Sequence, residues 1–156
     1  MRALITGGAG FIGCALSTKL ANRFDRVVVI DSLHPQIHAE RKRPADLDPR
    51  VELVVADVTE ASTWAQALET IRPEVVVHLA AETGTGQSLT EASRHAIANV
   101  LGTTRMLDAF ATASHVPERF VLASSRAVYG EGAWRSRNAG EITYPGQRSK
   151  QQLERA

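Results

Sequence analysis

The amino-acid sequence predicts an α/β fold in which a doubly wound parallel sheet carries helices on both faces. Three observations support this prediction. Short apolar runs of strand length alternate along the chain with longer segments of helix length. The runs Val27–Asp31 and Glu74–Ala81 are almost continuously apolar, which is typical of strands covered on both faces. The first run leads directly into a glycine-rich turn, Gly7–Gly13, which opens a helix.

The composition excludes several classes of protein. A chain of 156 residues with 44% hydrophobic residues can bury the core of one domain, so disorder is not expected. The net charge of +1 gives no general attraction to nucleic acid or to an anionic membrane. No apolar run approaches the ~18 residues of a membrane span. The single cysteine, Cys14, cannot form an internal disulfide, which suits a cytoplasmic protein, and no spaced ligand group predicts a metal site.

Each element follows from its local pattern. The predicted order is strand 2–6, helix 11–24, strand 27–31, strand 51–58, helix 60–71, strand 74–81, helix 89–114, strand 120–125 and a helix that begins near residue 147. The first helix is expected to bury Ile12, Leu16 and Leu20, which recur every four positions. Residues 32–50 and 130–146 are polar and rich in turn-forming residues, which predicts loops.

The glycine turn carries the first functional signal. Gly8, Gly10 and Gly13 satisfy the pattern G-x-G-x-x-G, and Gly7, Gly10 and Gly13 satisfy G-x-x-G-x-x-G. A simple strand–helix turn would also explain glycines here. However, a strand precedes the motif, a helix follows it, and an acid, Asp31, ends the next strand about 20 residues after Gly10. This context favours a dinucleotide-binding unit in which the helix N-terminus faces the phosphates.

Asp31 indicates which dinucleotide binds. A carboxylate at the end of the second strand accepts hydrogen bonds from ribose hydroxyls and repels a 2′-phosphate, which favours NAD over NADP. The alternative is an ordinary turn or helix cap. The loop that follows contains His34, His38, Arg41, Lys42 and Arg43. A solvated surface loop is the favoured interpretation, and a flap over the adenine end or a 2′-phosphate site are the alternatives.

Further candidate residues end the later strands. Asp57 and Val58 suit the adenine amino group and ring, although a turn acid is an equal alternative. The small residues Leu79–Ala81 leave room for a cofactor at the point where the strand order reverses, and His78 is expected to be a packed core residue. Ser125 ends the fifth strand, where its hydroxyl would face the centre of the cleft.

Together these residues resemble the extended short-chain dehydrogenase/reductase family, whose nucleotide-sugar epimerases and dehydratases look closest. The matching segments are 6–13, Asp31, 57–58, 78–81, 99–103 and 124–130. The resemblance implies a Rossmann-type NAD site formed by Gly7, Gly10, Phe11, Ile12, Asp31, Ser32, Asp57, Val58, Leu79, Ala80, Ala81, Asn99 and Lys150. It also implies a catalytic hydroxyl at Ser125 and contacts from Thr83 and Gln87 to a nucleotide-sugar substrate.

One departure from the family concerns its catalytic base, a tyrosine four residues before a lysine. Here Gly146 stands four residues before Lys150, and Tyr144 stands six before it, which does not bring the two to one helix face. The favoured explanation is that Gly146 replaces the tyrosine. The alternatives are an insertion at 130–150 with the true pair beyond residue 156, and a Tyr144 that reaches the site from a loop.

The sequence therefore predicts the NAD-binding part of a nucleotide-sugar epimerase or 4,6-dehydratase that transiently oxidises a sugar hydroxyl. An apolar edge at the fifth strand and a last helix without a stop signal predict that residues 1–156 are the N-terminal domain of a longer enzyme. We expect this chain to bind NAD without turnover. The alternatives are a non-catalytic dinucleotide-binding module and an NADP-dependent reductase. The helix predicted at 89–114 either pairs with its copy in a homodimer or belongs to the core.

Overall fold

The computed structural model describes residues 1–84, 86–130, 132–146, 149, 151 and 154. The chain divides into two compact units, Met1–Ala123 and Ser124–Ala156. The first unit contains β1 Arg2–Thr6, α1 Phe11–Arg23, β2 Arg26–Asp31, β3 Glu52–Val55, α2 Ala61–Thr70, β4 Val75–His78, a 3₁₀ turn Gln87–Leu89, α3 Ala92–Ala96, a π-helical turn Ile97–Leu101, α4 Gly102–Thr112 and β5 Arg119–Leu122.

The sheet of the first unit has five parallel strands in the order β3-β2-β1-β4-β5. The chain leaves β1 toward β2 and β3 and later returns to the other side of β1 through β4. The strand order therefore reverses between β1 and β4, and open α/β sheets bind their ligands at such a point. The predicted fold class is confirmed.

Two apolar clusters cover the two faces of this sheet. Leu4 and Val28 pack with Trp64 of α2 and Met106 of α4 on one face. On the other face, Ala3, Ile5, Val27 and Val29 pack with Leu33 and Leu47, and with half-buried residues of α1. Because side chains alternate along a strand, a central strand must be apolar at every position, which explains the continuous apolar runs.

The prediction for the inward face of α1 is wrong for Ile12 and holds in part for Leu20, which packs half-buried against the core. Ile12 is 56% exposed, Leu16 and Leu20 are only half-buried, and the buried residues of the helix are Gly13 and Ser17. The physical reason is close packing at the glycine turn. A Cβ added at Gly13 would collide with the backbone of Gly8, so the helix turns its smallest side chains toward the strand.

The single helix predicted at 89–114 is also wrong in its details. A 3₁₀ turn ends at Leu89, the α-helical segment begins at Ala92, and a π-helical turn interrupts it at Ile97–Leu101. π-Helical turns inside α-helices are found frequently at functional sites. Here the turn contains Asn99, whose side chain bonds the backbone of Glu82.

The second unit is small. It contains a 3₁₀ turn Arg126–Tyr129 and an antiparallel pair, β6 Trp134–Arg135 and β7 Ile142–Thr143. The segment 130–146, predicted to be a loop, therefore carries a short hairpin. Most residues of the helix predicted from residue 147, Lys150 among them, lie outside the described residues.

Candidate cofactor-binding site

The glycine turn between β1 and α1 forms one wall of the candidate site. Gly7 has a φ of +65°, and its N–H donates to the carbonyl oxygen of Ile30 at 2.8 Å. A Cβ added at Gly7 would lie 2.6 Å from the backbone N and Cα of Ala80. Both the conformation and the space therefore require glycine. The turn is packed directly against the residues that follow β4.

Helix α1 begins at the end of this glycine turn. Gly10 is the N-cap residue, and no side chain caps the first turn, which also contains no acidic residue. The backbone N–H groups of this turn are therefore available to an anion, and the helix dipole favours negative charge there. The absence of a side chain at Gly10 keeps the approach to these groups open.

A cavity of about 520 Å³ lies at this end of the sheet, within the range of small-molecule sites. Most of the residues predicted from the sequence line it. They are Gly7, Gly10, Phe11, Ile12, Asp31, Ser32, Asp57, Val58, Leu79, Ala80, Ala81 and Thr83. The structure brings these residues together, and the particular role of each one stays a prediction.

Asp31 is held firmly at the rim of the cavity. Its Oδ2 accepts a hydrogen bond from the Ala9 N–H at 3.0 Å, and its Oδ1 accepts one from the Leu33 N–H at 2.9 Å. The His38 Nε2 lies 3.8 Å from Oδ1, and the carboxylate side chain is 11% exposed. Each carboxylate oxygen has a second lone pair. Asp31 can therefore accept a ribose hydroxyl without giving up the bonds that position it.

Of the other four predicted residues, Asn99 and Gln87 make hydrogen bonds within the first unit, Ser125 belongs to the second unit, and Lys150 is not described. Asn99 bonds the Glu82 backbone in both directions, with its Oδ1 2.7 Å from the N–H and its Nδ2 3.0 Å from the carbonyl oxygen. These bonds position Glu82, which lines the cavity. Gln87 bonds the side chain of Gln36. In the second unit, the Ser125 hydroxyl accepts from the Ala127 N–H at 3.1 Å. Lys150 lies outside the described residues.

Several lining residues were missed by the sequence reasoning. They are Ile30, His34, Gln36, Ile37, His38, Ala56, Thr59, Glu82, Arg94, Ile97 and Ala98. The loop 32–50, which we interpreted as solvated, buries Leu33 and Leu47 completely and places residues 34–38 along the cavity. The signal that could have shown this is the pair of isolated leucines in an otherwise polar segment.

The basic residues of this loop are engaged within the loop itself. The Arg43 guanidinium donates to the carbonyl oxygens of Leu47, Asp48 and Val51. Lys42 pairs with Glu40, and Arg41 donates to the Ser32 carbonyl oxygen at 3.4 Å. These contacts give the cluster a structural role and weaken its interpretation as a 2′-phosphate site.

His78 lies beneath the cavity at the end of β4 and is only 2% exposed. Its Nδ1 lies 2.6 Å from the Thr6 hydroxyl and its Nε2 lies 3.3 Å from the Thr103 hydroxyl, while Trp64 packs against the ring. Burial lowers the pKa of His78 below its ordinary value, so the neutral form is favoured. His78 is a packed core residue that joins β1 to β4, as the sequence predicted.

The fold, the strand-order reversal and the glycine turn define a dinucleotide-binding α/β domain. Residues 3–150 match the model of the NAD dependent epimerase/dehydratase family, and the chain belongs to this family. The predicted resemblance to nucleotide-sugar epimerases and dehydratases is thereby confirmed, and so is NAD as the cofactor of the family.

Curated relatives agree with this assignment. The chain is 61% identical over 153 residues to dTDP-L-rhamnose 4-epimerase of Burkholderia thailandensis, covering 98% of this chain and 42% of the relative. It is 33% identical over 134 residues to a probable UDP-glucuronate 4-epimerase of Rhizobium meliloti, covering 83% of this chain and 39% of the relative. The chain thus spans about two fifths of the length of these relatives.

Solved structures show the same fold. UDP-glucose 4-epimerase of Thermotoga maritima with UDP-glucose has a TM-score of 0.71 at 28% identity, covering 85% of this chain and 40% of its own. UDP-glucose 4-epimerase of Brucella ovis, in complex with NAD, has a TM-score of 0.68 at 28% identity, covering 87% of this chain and 38% of its own.

Membrane-spanning helices and metal-ligand clusters were sought among the described residues. None of the helices formed by the described residues has both the length and the apolar character needed to cross a bilayer. Within the same residues, no group of three His, Cys, Asp or Glu side chains is arranged to hold a metal ion.

Proposed function

We propose that this chain is the NAD-binding part of a nucleotide-sugar 4-epimerase. The observation that carries the proposal is the convergence of the uncapped α1 N-terminus and the fixed Asp31 carboxylate on one cavity at the strand-order reversal. A 4-epimerase is favoured over a 4,6-dehydratase because the relative at 61% identity is a dTDP-L-rhamnose 4-epimerase. A dTDP-linked 6-deoxyhexose is the corresponding substrate class.

The described residues fit NAD. The N–H groups that follow Gly10 would hold the pyrophosphate, and Asp31 would hold the adenosine ribose. The Asp57 Oδ1 accepts from the Thr59 N–H at 2.8 Å, which leaves the other oxygen for the adenine amino group. The glycine turn has no room for a Cβ at Gly7, as expected where a backbone lies close to both a strand and a ligand. NAD, when bound, supplies a hydride acceptor for the sugar hydroxyl.

The remaining predicted roles belong to this proposal. Leu79, Ala80 and Ala81 would line the middle of the cofactor, and Thr83 would contact the sugar nucleotide. Ser125 would bond the sugar oxygen that is oxidised, and Lys150 would bond the nicotinamide ribose. The enzyme would act in the cytoplasm, as a homodimer.

The chemistry is tested in a chimera that joins this chain to the remaining part of the B. thailandensis relative. A dTDP-6-deoxyhexose carrying deuterium at C4 is the probe. We expect inversion at C4 with the deuterium kept in the product, because the hydride leaves C4 and returns to it. A second probe, dTDP-glucose carrying deuterium at C4, tests the dehydratase alternative, because it keeps the C6 hydroxyl that must leave as water. Transfer of its deuterium from C4 to C6 would indicate a 4,6-dehydratase. No reaction in a folded chimera that binds NAD would favour a non-catalytic module.

Two variants of the chimera resolve its catalytic groups. Ser125→Ala is expected to lower kcat at least tenfold while NAD binding is kept, because the lost hydroxyl bonds the reacting oxygen. Gly146→Tyr distinguishes the explanations for the missing tyrosine. Among the described residues, no heavy atom lies within 4 Å of a Cβ added at Gly146, so the first atom of a new side chain is tolerated there. A gain of activity would place Gly146 at the tyrosine position, and unchanged activity would place the base elsewhere.

A further inference from the structure

A bridge of three side chains joins two segments that are far apart in the sequence. The Gln36 Nε2 donates to the Gln87 Oε1 at 2.6 Å, and the Arg94 Nη2 donates to the Gln36 Oε1 at 3.0 Å. Gln36 belongs to the loop after β2, whereas Gln87 and Arg94 belong to the segment after β4. The bridge therefore connects the two halves of the sheet without passing through it.

The direction of these hydrogen bonds is fixed by chemistry. An arginine side chain only donates, so the Gln36 oxygen must face Arg94. The Gln36 amide nitrogen then necessarily faces Gln87, whose oxygen accepts from it. Gln36 thus uses both ends of its carboxamide, one toward each partner. A side chain without polar groups, such as that of alanine, breaks both links.

Both partners of Gln36 are anchored in turn. Arg94 lies 3.4 Å from the Glu82 carboxylate and 3.1 Å from the Glu91 carboxylate, which hold its guanidinium in place. The Gln87 carboxamide lies over Gly84, where an added Cβ would collide with its oxygen. The Gln87 carbonyl oxygen also accepts from the Glu91 N–H at 2.8 Å. The bridge therefore ends on ordered groups.

The bridge lies at the cavity. Gln36, Glu82 and Arg94 line it, and Gln36 is exposed to solvent. Gln36 belongs to the loop that follows Asp31, and Arg94 belongs to the segment that follows Ala81. A molecule extending from Asp31 to Ala81 would therefore span the same two segments that the bridge joins.

We propose that Gln36, Gln87 and Arg94 form a clasp that closes over the bound dinucleotide and limits its exchange. This inference rests on the proposed function, since it takes the cavity to be the NAD site. The clasp must open both for entry and for release. It therefore slows association as well as dissociation, whereas an ordinary binding contact would affect dissociation alone.

The test measures NADH association and dissociation by stopped-flow fluorescence, with excess NAD as the displacing ligand. Gln36→Ala removes both links and is expected to raise the dissociation rate constant at least about tenfold, the factor that corresponds to losing one hydrogen bond of ordinary strength. The association rate constant should rise with it, so the Kd changes less than either rate. Gln36→Glu keeps the acceptor for Arg94, and the Gln87 carboxamide can turn over to donate to the new carboxylate, so rate constants close to those of the wild type are expected. Gln66→Ala, an exposed glutamine on α2, is the matched control.

The two rate constants together distinguish a clasp from an ordinary binding contact. A rise in both rate constants supports the clasp. A rise in dissociation alone would make Gln36 an ordinary contact and overturn the clasp, as would unchanged rates in a wild-type protein that binds NADH. Absence of NADH binding by the wild-type protein would instead overturn the proposed function, and the clasp with it. Thermal unfolding of each variant confirms that it is folded.

Discussion

The glycines of the first turn and those in the later part of the chain occupy very different surroundings. A Cβ at Gly7 would meet the Ala80 backbone, and one at Gly13 would meet the Gly8 backbone. At Gly86 and Gly146, an added Cβ would meet no heavy atom of the described part of the chain within 4 Å. The strands differ in the same way. The inner residues of β2 are buried, whereas every residue of β5 is exposed.

The difference between the two sets of glycines shows where contacts with neighbouring atoms determine the residue type. At Gly7 and Gly13, glycine is required by neighbouring backbone atoms. Gly130 and Gly140 have open space but positive φ values, so their requirement for glycine is one of local conformation. A change from glycine to alanine should therefore cost far more stability at Gly13 than at Gly86, which has both open space and an ordinary φ of −71°.

The largest expected effect comes from Gly13→Ala. The added methyl group collides with the Gly8 backbone, which cannot move without displacing α1 from the sheet. We expect a loss of about 3 kcal/mol in the free energy of unfolding, at the upper end for an overpacked site. Chemical denaturation measures it. Gly86→Ala is the control, and an equal loss in both variants would contradict the contrast.

Asp31→Asn is expected to have the next largest effect, on binding. The amide keeps one acceptor oxygen but places a donor opposite either the Ala9 or the Leu33 N–H. NAD affinity should fall by about 2 kcal/mol, since a charged acceptor is replaced by a neutral one and a buried group loses its partner. The loss of negative charge should at the same time raise the affinity for NADP relative to NAD. Fluorescence titration with the reduced forms measures both.

The buried His78 gives a pH dependence of stability. Its folded pKa is lowered by burial below the ordinary value of 6.5. Its contribution is therefore complete above pH 6.5 and is lost as the pH falls toward the folded pKa, because the unfolded chain binds the proton first. The slope is at most about 1.4 kcal/mol per pH unit. Unfolding of His78→Gln between pH 7 and pH 5 should lack this slope, and an identical slope in both proteins would refute the assignment.

The smallest effect is expected at Glu74, which is distant from the cavity. Hydrogen bonds from the Arg2 side chain and backbone lower the pKa of Glu74 to about 2. The stability that this pair supplies is present above pH 4.5 and is lost as the pH falls toward 2. The difference in stability between the wild type and Glu74→Gln should shrink over that window. Glu118→Gln, at an exposed glutamate, is the matched control for the loss of a carboxylate.

The sequence predicted the cofactor end well because its signals are local. The glycine spacing, the uncapped helix start and Asp31 are all specified within one strand–helix–strand unit, and the structure brings them to one cavity. The alternation of strands and helices likewise predicted the sheet. Physical constraints that act between neighbours in the sequence leave a pattern that can be recognised.

The remaining features depend on contacts between distant segments. Gln36 and Gln87 form a hydrogen bond across 51 positions, and nothing near either residue predicts it. The π-helical turn places Asn99 against Glu82, which the apolar periodicity of the segment did not show. The inward face of α1 was misjudged because small residues, which carry little hydrophobic signal, pack closest to the sheet.

A calorimetric titration of the folded protein, first with NAD and then with NADP, tests whether the cavity around Gly7, Gly10 and Asp31 binds NAD. We predict saturable binding of one NAD per chain and at least about tenfold weaker binding of NADP, because the Asp31 carboxylate repels a 2′-phosphate. Absence of NAD binding, or NADP binding as tight as that of NAD, would contradict the assignment of the cavity around Gly7, Gly10 and Asp31.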